Sequence, residues 1–257
     1  MRILRFRYSG KTGWGILKEN SVVVLSESPF KVINPTRKSI PLSKVKILAP
    51  AQPSKVILVG LNYRDHAREL KMAIPREPII FLKPPTAVIG HRENIVYPSG
   101  VKRLDYEAEL AVVIKKETRN IPARLAFKHI LGYTCLNDVT ARDLQKKDVQ
   151  WTRAKSFDTF CPLGPWIETG LDPTDLRISC RLNGALKQYS STRNFIFSID
   201  RIVSFVSRVM TLLPGDVIST GTPAGVGPMR PGDRVEVQIE GIGSLTNRIA
   251  VPGSPRK

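Results

Sequence analysis

Ten consecutive residues, Asp105-Tyr106-Glu107-Ala108-Glu109-Leu110-Ala111-Val112-Val113-Ile114, constrain this fold more than any other stretch. The second half is a continuous apolar run, the pattern of a strand buried on both faces. The first half carries three acids two residues apart, and residues two apart in a strand share a face. Carboxylates placed beside buried apolar surface cost free energy unless something compensates. Two readings follow: a strand end whose acids are solvated, or a site where a hard dication offsets their charge.

A second acid leaves the same choice open. Ile130-Leu131-Gly132-Tyr133-Thr134-Cys135-Leu136-Asn137-Asp138 reads as a buried strand ending on a carboxylate. Thr140-Ala141-Arg142-Asp143-Leu144-Gln145 then reads as the start of a helix. Asp138 either caps that helix or joins the glutamates, and spacing alone does not decide.

The rest of the chain narrows the chemistry. Cys135, Cys161 and Cys180 are odd in number and widely spaced, against both a disulfide framework and a thiolate zinc site. His66, His91 and His129 are not at metal-ligand spacing from one another, so a bound metal would have oxygen ligands and be Mg²⁺, Mn²⁺ or Ca²⁺. No apolar run reaches 18 residues, and Met1–Tyr8 alternates like a strand rather than a signal peptide; the expected location is cytoplasmic. The formal net charge is +18, of which residues 1–50 supply ten Lys/Arg against two Asp/Glu. Such a surface can bind nucleic acid or draw small anions into a cleft. Zinc-finger spacing and aromatic-glycine RNA motifs are missing, so nucleic acid is the weaker expectation. Gly10-Lys11-Thr12 mimics the end of a phosphate-binding loop, but Arg5 stands where its upstream glycine belongs.

Residues 1–50 are expected to form a small N-terminal β domain and residues 51–257 a catalytic domain, with Pro50-Ala51-Gln52-Pro53 as the linker. Strands are predicted at Val56–Gly60, Ile79–Leu82, Glu109–Ile114, Ile130–Leu136, Ile178–Leu182, Asp216–Thr220 and Val235–Ile239. A helix capped by Asn62 is predicted over 62–70. Another follows Ser198, with Ile199, Ile202, Val203, Val206, Val209 and Met210 on its apolar face. The class is α+β, mainly β.

Three further features could do chemistry. His66 and Glu69 lie at i and i+3 on one helix face, where a carboxylate orients an imidazole as a general base or simply makes a surface contact. Lys155 is a cation in a semi-apolar segment. Thr220-Gly221-Thr222-Pro223-Ala224-Gly225-Val226-Gly227 follows a strand, and its glycines free N–H groups for an anion or merely form a tight loop.

Six segments resemble the fumarylacetoacetate hydrolase family, in family order from about residue 55 to 250. They are Gly60-Leu61-Asn62-Tyr63-Arg64-Asp65-His66, Phe81-Leu82-Lys83-Pro84, Asp105 to Leu110, Asn137 to Gln145, Ala154-Lys155-Ser156-Phe157-Asp158-Thr159-Phe160-Cys161-Pro162-Leu163-Gly164-Pro165, and Thr220 to Gly227. The chain looks most like the short two-domain acylpyruvase and 2-hydroxyhepta-2,4-diene-1,7-dioate isomerase-like members. The resemblance implies a mixed β-roll catalytic domain in a homodimer acting on a small anionic 2-oxo acid. It implies Glu107, Glu109 and Asp138 as ligands of Mg²⁺ or Mn²⁺, and His66 with Glu69 as a water-activating dyad. It places Lys155 at the reacting centre, with Arg142, Gln145 and Thr222 around the substrate. The implied activity is hydrolysis of a C–C bond in a 2,4-dioxo acid through a metal-stabilised enolate. Oxaloacetate decarboxylation, and isomerisation of 2-hydroxyhepta-2,4-diene-1,7-dioate or 5-carboxymethyl-2-hydroxymuconate, are alternatives on the same residues. A basic nucleic-acid-binding module on an inactive scaffold is the rival of another class.

Overall fold

The structure is a computed structural model and describes residues 1–253. Strand makes up 43% and helix 17%, so β pairing dominates, as the short punctuated apolar runs predict. The large sheet is mixed and runs, from one edge, through Pro35–Pro41, Ser21–Leu25, Lys11–Lys18, Arg2–Tyr8, Cys161–Glu168, Ile130–Asn137, Ala108–Ile114, Val217–Ser219, Val56–Val59 and Ile80–Lys83. A five-stranded sheet is formed by Ala185–Ser191, Arg177–Leu182, Arg234–Ile239, Gly243–Ala250 and Asn94–Val96. A three-stranded sheet joins Thr140–Ala141, Leu104–Tyr106 and Gly227–Met229.

The Ala108–Ile114 strand explains its own composition. Leu110, Val112 and Ile114 enter one core cluster with Ile178, Val237 and the Ile199–Val209 helix. Ala111 and Val113 enter another with Val56, Leu58, Leu136 and Leu163. Both faces are covered, so the run shows no polar alternation. Each such aliphatic side chain contributes roughly 1.5–3 kcal/mol by burial.

Residues 1–50 extend the same sheet, because Arg2 and Ile3 pair with Glu168 and Ile167. Leu4, Phe6, Val22 and Ile40 form a small cluster of their own. Gly10, at φ +77°, closes the turn between the first two strands, and Lys11 opens the next strand; a phosphate-binding loop would open a helix there.

Four expectations need correction. Asp105 and Glu109 do not share one strand: Leu104–Tyr106 belongs to the three-stranded sheet, Ala108–Ile114 to the large one, and Glu107 sits at the junction. Thr140–Ala141 is a strand, and the helix runs only over Arg142–Lys147. Val209 is exposed, because the helix ends there and Met210 is already extended. Asn62 caps nothing: the helix is Arg64–Glu69, with Tyr63 at its cap position.

Instead, the buried Asn62 carboxamide is a long-range clamp. It donates to Thr220 O (2.8 Å) and Phe197 O (3.2 Å) and accepts from Phe197 N (2.7 Å). Its removal strands buried backbone groups on two distant segments. Asn62→Ala is therefore expected to lose about 1–3 kcal/mol of stability in urea denaturation, and an unchanged midpoint and slope would refute the clamp.

Candidate metal centre and base dyad

Sheet register brings the three acids together. Ala108 lies opposite Asn137 and Glu109 opposite Leu136, so the residue after Asn137 falls beside Glu107. Asp138 N–H donates to Glu107 O (2.9 Å), and Glu107 N–H donates to Asn137 Oδ1 (3.0 Å). Glu107, Glu109 and Asp138 each offer an oxygen within 4.8 Å of the others, and all three are buried. This removes the reading of a solvated strand end. It equally removes the reading of Asp138 as a helix cap.

Cations surround the cluster. Lys155 Nζ donates to Glu107 Oε2 (2.9 Å) and Asp138 Oδ2 (2.5 Å). The Arg142 guanidinium pairs with Glu107 and, through Nε at 2.9 Å, with Asp105. Asp105 is also paired with Arg103 (2.8 Å), so it stands behind the cluster and holds Arg142. Lys83 was not singled out from sequence. Its buried ammonium contacts Asp138 Oδ1 (2.7 Å) and donates to Val139 O (2.9 Å) and to Phe160 O. The signal was there to read: a lysine closing the apolar strand Ile80–Lys83 must find a partner.

The field inside the cluster is uneven. Burial opposes the Glu107 charge, but Lys155 and Arg142 outweigh it and hold that carboxyl well below the usual range. Burial lowers Lys155, yet Asp138 and Glu107 win and raise it. Among the described residues Glu109 forms no ion pair, and the pull of Lys155 on it is the weakest influence it feels. Burial, then the charges of Asp138 and Glu107, push it well above the ordinary carboxyl range. A third carboxylate that is hard to ionise marks a place short of positive charge. All-oxygen donors with that deficit fit a hard dication.

The N–H groups of the glycine-rich loop are taken up by the protein's own carboxyl groups. Gly221 N–H donates to Glu109 Oε2 (2.9 Å), which Ser219 Oγ also meets at 2.5 Å. Gly225 N–H donates to Glu69 Oε1 (3.0 Å). Gly225 sits at φ +95°, and a Cβ there would lie 2.3 Å from Lys187 O, so no other residue fits. Glu69 Oε2 in turn meets His66 Nδ1 at 2.8 Å. With Nδ1 engaged, Nε2 is the nitrogen left for proton transfer. One loop thus grips both a carboxylate of the acid cluster and the carboxylate that orients His66.

The remaining sequence candidates lie close by. Arg142 Nη1 donates to Gln145 Oε1 (2.5 Å). The Thr222 hydroxyl is buried and donates to Ala108 O (3.0 Å), so its hydrogen is already engaged. Among the described residues, no helix is long and apolar enough to cross a membrane.

Comparison with known proteins agrees with this architecture. The family model described as fumarylacetoacetate (FAA) hydrolase C-terminal matches residues 55–250, and one described as Rv2993c-like, N-terminal matches residues 1–50. A 5-carboxymethyl-2-hydroxymuconate delta-isomerase from Mycobacterium smegmatis superposes with a TM-score of 0.93 at 46% identity, covering 98% of this chain and 100% of that one. An uncharacterized protein of Archaeoglobus fulgidus is 62% identical over 81% of this chain and 83% of its own length. The mitochondrial oxaloacetate tautomerase FAHD2B of Bos taurus is 44% identical over 82% of this chain and 71% of its own.

The raised Glu109 carboxyl gives a sign for metal binding. Without a cation it keeps its proton above the normal carboxyl range; a dication favours the ionised form and expels it. Binding of Mn²⁺ is expected to release protons and to tighten as pH rises above the ordinary carboxyl range. Titration calorimetry in buffers of different ionisation enthalpy reads this directly, and a binding enthalpy independent of buffer would contradict it.

Proposed function

The chain belongs to the fumarylacetoacetate hydrolase family, and we propose that it is a divalent-metal enzyme that moves a proton on a small 2-oxo diacid, by keto–enol tautomerisation or double-bond isomerisation. The observation that carries this reading is the oriented His66–Glu69 base joined by one loop to the buried acid cluster. Two relatives named as an isomerase and a tautomerase support it.

Glu107, Glu109 and Asp138 would hold Mg²⁺ or Mn²⁺. When bound, the ion supplies Lewis-acid stabilisation of negative charge on the substrate's 2-oxo oxygen. His66 Nε2 takes the proton from the carbon beside that oxo group and returns one elsewhere on the same conjugated system, so the base is regenerated. Glu69 fixes the orientation of the imidazole through Nδ1. Lys155 adds positive charge at the reacting end, and Arg142 with Gln145 faces a carboxylate. Charge counting supports a diacid. Once a dication has expelled the Glu109 proton, Asp105, Glu107, Glu109 and Asp138 balance Arg103, Arg142, Lys83 and Lys155, so the charge of the dication is a surplus that a dianion would neutralise.

The same dyad favours a second reading, C–C hydrolysis of an acylpyruvate-type 2,4-dioxo acid, in which His66 deprotonates a water instead. Decarboxylation of oxaloacetate needs no base at that position. A panel of oxaloacetate enol, hydroxymuconate-type diacids and acylpyruvates, with and without Mg²⁺ or Mn²⁺, separates these reactions. Glu107→Ala is expected to abolish metal-dependent turnover. His66→Ala should slow proton transfer or hydrolysis by about 10²–10⁴-fold while sparing part of any decarboxylation. Full activity of either variant would sink the assignment, and salt-sensitive DNA retention without turnover would favour a binding module.

A further inference from the structure

Gln188 lies outside every segment that pointed to the site, on the Ala185–Ser191 strand of the five-stranded sheet, and it is buried. Its Oε1 accepts from Ala108 N–H (2.9 Å). Its Nε2 donates to Thr222 Oγ1 (2.8 Å) and Pro223 O (2.9 Å). The Thr222 hydroxyl passes its own hydrogen to Ala108 O (3.0 Å), which closes a ring. Both backbone polar groups of Ala108 are therefore held by two side chains.

Ala108 is the residue between Glu107 and Glu109. On one side its strand pairs with Asn137, but on the other side the neighbouring strand Val217–Ser219 reaches no further than Ala111. At Ala108 the ladder has ended, and buried N–H and C=O groups need partners. The Gln188–Thr222 ring takes the place of the missing strand. Two residues further on, Ser190 donates to Asp65 at the start of the His66 helix. Residues 188 and 190 share a strand face, so one strand supports the acid cluster and the base together.

We infer that Gln188 is a positioning residue: its carboxamide sets the peptide between the two glutamates, and the affinity of the site for a dication depends on it. This rests on the reading of Glu107 and Glu109 as ligands. A residue that only filled space would change stability and leave the affinity of folded protein for metal alone.

The test is Mn²⁺ binding to the full chain, followed by electron paramagnetic resonance, for wild type, Gln188→Met, Thr222→Val and the double variant. Met keeps the length of Gln and removes all three hydrogen bonds. Gln188→Met is expected to weaken Mn²⁺ binding by about tenfold or more, with turnover recovering in part at saturating Mn²⁺. Because both substitutions break one ring, the double variant should bind no worse than about twofold below Gln188→Met. Wild-type affinity in folded Gln188→Met, or losses that multiply, would overturn the inference. Should Gln188→Met not fold, Thr222→Val alone decides: weaker binding at an unchanged melting temperature supports the ring, and an unchanged Kd refutes it. Absence of Mn²⁺ binding in wild type would remove the metal reading itself, and the positioning role with it.

Discussion

Three carboxylates in a buried pocket repel one another, and the organisation around them answers that repulsion. Glu107 and Asp138 are paired with Lys155, Arg142 and Lys83, while the hydrogen-bond donors to Glu109 among the described residues are neutral, Ser219 and the Gly221 N–H. Breaking a buried ion pair by removing one partner costs several kcal/mol, because the other charge stays behind unpaired. The cluster is therefore tense by composition rather than by backbone strain. Its deficit sits at Glu109, the carboxylate nearest the loop that also holds the base.

A cluster of this kind needs a frame that does not yield. The Ala108–Ile114 strand supplies it by being covered on both faces, since closely packed interiors admit few alternative arrangements. At the strand's N-terminal end the frame changes character. Sheet pairing stops, and side chains take over: Asn137 on Glu107 N–H, Gln188 on Ala108 N–H, Thr222 on Ala108 C=O. The polar residues of the site are thus where a β-ladder runs out. Its unpaired backbone groups are what recruit them.

Part of this was legible in the chain and part was not. Acids spaced by two on a β-rich segment raised Asp105, Glu107 and Glu109 together without deciding between a solvated strand end and a site, and the resemblance singled out the two glutamates. The same rule wrongly grouped Asp105 with them on one strand, since nothing between Tyr106 and Ala108, neither proline nor glycine, announces the change of sheet. The ordered resemblance supplied Asp138, whose proximity depends on register with a strand some thirty residues away. Asn62 looked like a cap because Asn before a helical run usually is one; its partners lie 135 and 158 residues on, beyond any window. Gln188 carried no signal at all, as its immediate neighbours in sequence, Lys187 and Tyr189, are exposed strand residues and its partners come from two distant segments, Ala108 and Thr222–Pro223.

The net charge of +18 also looks different beside the site. It was the largest anomaly of composition, yet around the acid cluster the charges are nearly balanced: Asp105, Glu107 and Asp138 pair with Arg103, Arg142, Lys83 and Lys155 in one network, with Glu109 beside it. Exposed charges farther off are screened over about 8 Å at physiological salt, so they act on how fast an anion arrives rather than on what happens to it. The buried pairs are screened far less. A change of one charge at Glu109 therefore alters the field within the acid cluster more than several changes on the basic N-terminal strands, although the latter supply much of the total. Counting residues measures the outer field, and only the register that joins Glu107, Glu109 and Asp138 reveals the inner one.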